Sequence, residues 1–342
     1  MPKVSVLIPA FNCANYIDEC IQSVLSQSFK DFELLICDDF SEDKTLSILD
    51  SYKKKDSRIN IFTNSGNLGK IDTIERLLNL CNGEYLTILD SDDYISEDKL
   101  KTQVNFLDSS PEYSFVASSF KRISEKGVIT SSELLNFNDQ DIKNRILNSE
   151  TMPICCGTVM CRTQYAKQIG GYDSFFQDCN GEDIYFVSRL LDFGRGMSTS
   201  DFLYFYRYRE ESLTRRVFIT PKARHINEIV SFLFSQRLAN DGRDSLNSSL
   251  LGLDNLIRFY ELKYEKDKGL MKRKIAVDLA IKKDYQAAII SAFSGFSSAS
   301  LISSLKTFIF IIIMFIFPRQ ILLFLKDFLN FKNISKKLEG NK

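Results

Sequence analysis

The sequence predicts an α/β fold, with a mostly parallel central sheet flanked by helices and a helical C-terminal region. Three observations predict it. Runs that are apolar on both faces, such as VSVLIPAF (4–11) and FELLICDD (32–39), alternate with helix-period stripes over the first hundred residues. Strands of that kind need cover on both sides, which crossover helices on a parallel sheet provide. Two of the runs also end in acids, Asp38–Asp39 and Asp90, Asp92, Asp93, and ligands of open α/β sheets bind beyond the carboxyl ends of the strands.

The first strand (4–11) stops at Asn12, and Tyr16, Ile17, Ile21, Val24 and Leu25 form the stripe of the first helix. After the strand 32–39 comes a helix over 43–55, with Ser41 as its expected N-cap. RINIFT (58–63) reads as the third strand, NSGNLGK (64–70) as a turn-rich loop, and Ile71, Ile74, Leu77, Leu78 and Cys81 as the next helical face. YLTILD (85–90) is the fourth strand. SFVASSFKRI (114–123) and GTVMCR (157–162) read as further strands, 139–148 as a short helix, and the residues before IGGYD (169–173) as another. NGEDIYFVSRLLDFG (180–194) places Glu182 and Asp183 at a helix start, where acids also answer the helix dipole. FLYFYRYR (202–209) is strand-like, and 220–294 reads as helical.

A chain of 342 residues accommodates two or three domains, and 44% apolar with 26% charged residues excludes wholesale disorder. Lys and Arg (44) cancel Asp and Glu (44), which argues against nucleic acid as a partner, since phosphate binding needs a basic surplus. From Leu301 onward seven basic residues face two acidic ones. The eight cysteines have no framework spacing, and with a single histidine, His225, and no C-x-x-C pair they do not read as a zinc site. The opening MPKVSVLIPAF lacks a signal-peptide pattern, so a cytoplasmic, reducing setting is expected.

In TFIFIIIMFIFPRQILLFL (307–325) the apolar run Phe308–Phe317 falls short of the roughly 20 residues a spanning helix needs. Pro318 and Arg319 interrupt it. The expectation is a helix lying in the bilayer interface, peripheral on the inner face of the cell membrane and helped by the basic tail. A tilted span or a core helix are the alternatives.

Several carboxylates in one cleft repel, and they either bind a cation or take up protons. Hard ions such as Mg²⁺ or Mn²⁺ suit oxygen ligands, and Mg²⁺ is commonly shared between one or two carboxylates and substrate phosphates. The acids at the strand ends therefore point to a metal-bridged, phosphate-bearing ligand.

Taken in order, VSVLIPAFNCANYIDECIQSVLSQSF, FELLICDDFSEDKT, NLGK, NGEYLTILDSDDYI, IGGYD and GEDIYF resemble the family-2 inverting glycosyltransferases of GT-A fold, over roughly residues 3–215. A lone D-x-D arises by chance; the ordered set is specific. The resemblance implies a GT-A domain over 1–218, its nucleotide-sugar half about 1–110 and its acceptor half about 111–218. A helical region (219–300) and a hydrophobic, basic, membrane-associating tail (301–342) follow. It implies transfer of a sugar from a nucleotide-diphosphate sugar to a hydroxyl of a saccharide or lipid-linked saccharide, as in surface-polysaccharide assembly.

Carried over residue by residue, the resemblance has Pro9, Ala10, Phe11 and Asn12 line the base and ribose pocket, with Asp39 on the nucleobase. Asp90, Ser91 and Asp92 are the D-x-D: Asp90 lies near the ribose or sugar, and Asp92 is the direct ligand of Mn²⁺ or Mg²⁺. Asp93 supports them or contacts the donor sugar. Asp183 is the general base, with Glu182 beside it. A carboxylate on a segment other than the D-x-D can sit across the sugar and take the acceptor proton.

Two departures stand out. Where relatives carry arginine after the N-x-G loop this chain has Ile74, so Lys70 or Arg76 supplies the positive charge. Where relatives often read Y-R-x-H, this chain reads Tyr206-Arg207-Tyr208-Arg209. Arginine cannot ligate a metal but can grip a diphosphate, so Arg207, Arg209, Ser212 or Arg215 is expected to clamp the leaving group, leaving Asp92 as the one protein ligand of the metal. The alternative readings are a catalytically weak nucleotide-sugar-binding protein, or a Mg-dependent phosphotransfer or nucleotidyltransferase enzyme on a similar sheet.

Overall fold

The structure is a computed structural model and describes residues 1–150, 154–209, 219–296 and 300–316. Strands β1 (Val4–Ala10), β2 (Phe32–Asp38), β3 (Ile59–Thr63) and β4 (Tyr85–Ile88) pair in parallel, in the order β3-β2-β1-β4. Val4, Val6, Leu7 and Ile8 of β1 and Leu34 and Ile36 of β2 are fully buried, as strands covered on both faces must be. The crossovers are α1 (Ile17–Leu25), α2 (Thr45–Lys53) and α3 (Lys70–Leu80). Ile17, Cys20, Ile21 and Val24 form the buried stripe of α1, and Ile71, Ile74, Leu77 and Leu78 that of α3. The register sets Ala10 beside Asp38 and Leu7 beside Ile88, so the chain leaves β1, β2 and β4 at one sheet edge. That edge is where Asn12, Asp39 and the acids after β4 emerge.

Beyond β4 follow β5 (Tyr94–Ile95), α4 (Lys99–Ser109), β6 (Tyr113–Ile123), β7 (Ile129–Glu133), α5 (Asp139–Leu147), β8 (Met160–Arg162), α6 (Thr163–Ile169), α7 (Glu182–Leu190) and β9 (Arg195–Arg207). The sheet continues β4-β8-β6-β9-β5, with β7 hydrogen-bonded to β6, giving nine strands among the described residues. This half is mixed: β8 runs antiparallel to β4 and β6, β9 parallel to β6, and β5 antiparallel to β9.

Local details depart from the sequence expectations. Helix α2 begins at Thr45, and its first amide is held by Asp43 Oδ1 at 2.9 Å. Ser41, expected as the cap, instead accepts from the Asn12 amide at 3.0 Å and braces the loop after β1. The stretch 157–162 is strand only at Met160–Arg162; Cys156–Thr158 forms a 3-10 turn. A Cβ on Gly157 would lie 2.2 Å from the Tyr204 ring, so the turn exists to let that ring approach. Strand β7 and the first half of β9 escape sequence reading because ITSSE and STSD carry no apolar alternation.

The chain divides into two compact units, Met1–Arg215 with Ile226–Leu253, and Arg216–His225 with Asp254–Lys342. The second contains α8 (Pro221–Arg224), while α9 (Ile226–Ala239) belongs to the first and packs against α5 and α7. Arg237 of α9 is fully buried; it pairs with Asp244 at 2.6 Å and donates to Ser188 of α7 at 2.6 Å. Tyr185 of α7 donates to the same Asp244 at 3.0 Å, so a closed polar network fixes the back of α7. In the second unit, α10 (Leu253–Lys266), which starts on the last residue of the first, is followed by α11 (Leu270–Ile281), α12 (Tyr285–Ser294) and α13 (Leu301–Ile316). No helix among the described residues is long and apolar enough to cross a membrane. Helix α13 takes in the first part of the 307–325 segment; the remainder lies outside the described residues.

Candidate active site

After β4 the chain turns tightly, the Asp93 amide donating to the Asp90 carbonyl at 3.0 Å. The turn spreads the three carboxylates in different directions. Asp90 pairs with Lys70 at 2.8 Å, across the first turn of α3. Asp92 pairs with Arg209 at 3.1 Å. Asp93 points into the protein, where it accepts from the Arg207 amide at 2.6 Å and from the Tyr204 hydroxyl.

Burial, together with the charge of Asp90, raises the Asp92 carboxyl above the usual carboxylate range, Arg209 working against the rise. Asp93 is raised further, by complete burial and by the charges of Asp92 and Asp90. Burial is the larger cause of both shifts, and the like charges of the turn add to it. The donor set is hard oxygen, and among the described residues no three of His, Cys, Asp or Glu form a closed metal cage. A site with one protein carboxylate, completed by ligand phosphates, fits Mn²⁺ or Mg²⁺.

Of the residues expected to grip the diphosphate, Ser212 and Arg215 lie outside the described residues. Arg207 is 4% exposed, and its guanidinium is engaged by protein: Nε donates to the Asp92 carbonyl at 2.7 Å, Nη1 to the Glu125 carbonyl at 2.9 Å, and Nη2 pairs with Glu19. Arg207 therefore fixes the acidic turn from behind. Arg209 lies nearer the opening, with its guanidinium 4.8 Å from the Tyr16 ring centroid.

The loop after β1 and the N-x-G loop are tied together by Asp39. Its carboxylate accepts from Asn64 Nδ2 at 2.7 Å and from the amides of Leu68 and Gly69 at 2.8 Å each, while its own amide donates to the Ala10 carbonyl at 2.7 Å. Gly69 holds φ +88°, a conformation costly for any other residue there. Asn12, with φ 46°, accepts from the Glu42 amide at 2.9 Å. Pro9 and Ala10 end β1, and Phe11 projects to solvent at 44% exposure. Of the two candidate cations, Lys70 faces the acids. Arg76 turns away, donating to the Thr63 carbonyl at 2.7 Å and to Asn64, and Ile74 is core.

Glu182 and Asp183 open α7. Asp183 Oδ1 accepts from the Tyr172 hydroxyl at 2.8 Å and Oδ2 from the Cys156 amide at 3.1 Å. Glu182 accepts from the Gly181 amide at 2.8 Å, and burial plus the Asp183 charge raise its carboxyl, Lys70 opposing. Burial alone would drive Lys70 toward neutrality, but the charges of Asp90, Asp183 and Glu182 raise it well above the ordinary lysine value. One ammonium thus lies in the field of both acidic groups, ninety residues apart in sequence.

Tyr204 and Glu19 are neighbours of the acidic turn that the sequence reading did not single out. Tyr204 lies inside the aromatic strand and so carried a signal; Glu19 looked like an ordinary acid in the first turn of a helix.

This fold, with acids gathered at the carboxyl edge of a mixed sheet, is that of the GT-A glycosyltransferases. The family model described as Glycosyl transferase family 2 matches residues 5–170. The putative glycosyltransferase EpsE of Bacillus subtilis (strain 168) is 32% identical over 219 residues, 64% of this chain and 77% of that protein. An Escherichia coli relative named UDP-Glc:alpha-D-GlcNAc-diphosphoundecaprenol beta-1,3-glucosyltransferase WfaP is 38% identical over 109 residues, 32% of this chain and 43% of that protein. Among solved structures, S. aureus TarS 1-349 in complex with UDP-GlcNAc superposes with a TM-score of 0.58 at 21% identity, covering 84% of this chain and 81% of that one. The mannosyltransferase PcManGT of Pyrobaculum calidifontis, in complex with GDP-Man and Mn2+, gives 0.52 at 16% identity, covering 89% and 78%. The chain belongs to glycosyltransferase family 2.

Proposed function

We propose that this glycosyltransferase inverts the anomeric centre as it moves a sugar from a nucleotide-diphosphate donor to a hydroxyl of a saccharide or lipid-linked saccharide in surface-polysaccharide assembly. The observation that carries the reading is Lys70, salt-bridged to Asp90 and in the field of Glu182 and Asp183. A cation under the influence of both acidic groups supports the reading that they act on one bound donor.

In this reading Pro9, Ala10, Phe11 and Asn12 frame the base, and Asp39 holds both nucleotide loops in register. Asp92 would hold Mn²⁺ or Mg²⁺, which supplies positive charge for the departing diphosphate. Arg209, released from Asp92, offers its fork to diphosphate oxygens. Lys70, Asp90 and Ser91 contact the donor, and Asp93 supports the turn. Asp183, aimed by Tyr172 and the Cys156 amide, accepts the acceptor hydroxyl proton as the new bond forms. Glu182 adds negative potential beside it. The donor half spans about 1–110 and the acceptor half about 111–218. The basic, apolar tail from residue 301 holds the enzyme at the cytoplasmic face of the membrane, which suits a lipid-linked acceptor such as the one in WfaP's name.

Calorimetric titration with UDP-, dTDP-, GDP- and CMP-sugars, with and without Mn²⁺, tests this. One nucleotide class should bind, more tightly with the metal. If no nucleotide-sugar binds at any metal concentration, the donor assignment fails.

A further inference from the structure

Helices α11 and α12 enter their shared core with α13 through small residues. That core is built from Ala276, Ala280, Ala288 and Ala292 with Phe310, Ile311 and Met314 of α13, and the buried side of α13 also carries Ser304 and Thr307. A second set of large side chains faces outward. On α12, Ile290 and Phe293 are 62% and 66% exposed; on α13, Ile302 is 71% and Phe315 72% exposed. Ile302, Leu305, Ile309 and Ile312 recur at helical spacing, so one face of α13 is an uninterrupted apolar stripe. The two outer faces are continuous, because the Phe293 and Phe308 rings meet at 4.8 Å and Tyr285 and Phe315 at 5.4 Å.

A helix group folded in water buries its large apolar residues and exposes its small and polar ones. Small residues between helices with bulky ones outside is the arrangement that helices adopt against lipid. Charge agrees. Among the described residues from α11 to α13, Lys272, Lys274, Lys282, Lys283 and Lys306 are at least partly exposed against Asp278 and Asp284, and no acid occurs in the sequence from 285 to 326. This excess of basic charge matches an anionic bilayer. We infer that the outer faces of α12 and α13 together dock into the interfacial region of an acidic-phospholipid membrane, so that contact extends upstream of the tail to residues 289–296. The inference places these helices in the interface; among the described residues no helix is long and apolar enough to cross a membrane. The inference rests on the membrane reading of the C-terminal region and sharpens it.

The chain contains no tryptophan, so Phe293→Trp in the full-length protein introduces a single indole reporter. With phosphatidylcholine vesicles containing about 30 mol% phosphatidylglycerol, the indole emission should shift to the blue and be quenched by lipids brominated on the acyl chains. A second variant, Ile290→Glu with Phe293→Glu, leaves the tail intact and should weaken vesicle flotation about ten-fold or more, with the far-UV circular dichroism of the wild type. A floating Phe293→Trp protein whose indole stays unquenched, or a double variant that floats like wild type, overturns docking by α12 and leaves the tail reading standing. Failure of the unaltered protein to float overturns both. An indole already blue-shifted without vesicles, or a dimer dispersed by the double variant, would assign the face to the protein itself and sink the inference.

Discussion

At the scale of single residues, the site separates carboxylates by what surrounds them. Asp93 is buried and satisfied, Asp92 is balanced by one arginine, and Asp183 is aimed by a hydroxyl and an amide. Different losses follow. Asp183→Asn keeps size and burial but cannot take a proton, so transfer should vanish while calorimetric donor affinity stays within about two-fold. Asp92→Asn should weaken metal-dependent donor binding itself. Equal loss of donor binding in both variants would undo the assignment of the base. Tyr172→Phe tests how Asp183 is aimed. Removing one hydrogen bond to a charged group is worth about 1.5–3 kcal/mol, so kcat should fall at least ten-fold with little change in donor KM. An unchanged kcat would make Tyr172 a packing residue only.

At the scale of elements, the strands and helices of the first ninety residues were legible because each is apolar at the period its structure requires. The failures have a common cause. Ser41 looks like a cap on composition, but the loop after β1 needs a partner for the Asn12 amide more than the helix needs Ser41. GTVMCR reads as one strand, but its first residues bend into a turn to accept the Tyr204 ring from β9, more than forty residues later. Nothing local in the sequence reveals that Glu19 and the carbonyls of Asp92 and Glu125 converge on Arg207. Local pattern specifies elements; contacts between distant segments assign jobs to the polar side chains. The 3-10 turn gives a sharp test. Gly157→Ala would press a methyl into Tyr204, the residue that holds Asp93, and the neighbouring Cys156 amide holds Asp183. It should lower stability by about 1–3 kcal/mol and impair both donor binding and turnover. Wild-type urea midpoints and kinetics for this variant would mean that the ring moves aside freely.

At the scale of the whole molecule, two lysines show how the carboxyl edge of the sheet governs charge. Lys70 has three acids within its field and is held protonated. Lys99, at the start of α4, is fully buried without a carboxylate; its ammonium nitrogen donates to Thr87 Oγ1 at 2.8 Å, and Thr87 donates on to the Val159 carbonyl at 2.7 Å. Burial pushes its pKa down to about 7, with only small opposition from Cys155 and Cys161. An unfolded lysine titrates near 10.4, so between about pH 7 and 10.4 the unfolded chain carries a proton that the folded chain lacks. Folding stability should therefore rise with pH through that window, by up to about 1.4 kcal/mol per unit from this residue. Below about pH 7 both states are protonated and the penalty for the buried ammonium is fully present. Lys99→Met removes the titration. Its urea midpoint should exceed the wild-type value most at about pH 6.5, and the two proteins should converge as pH approaches about 9.5. Parallel pH profiles would show that Lys99 remains charged in the fold, and that the interior beneath β4 accommodates a cation without help from the acids gathered at the sheet edge.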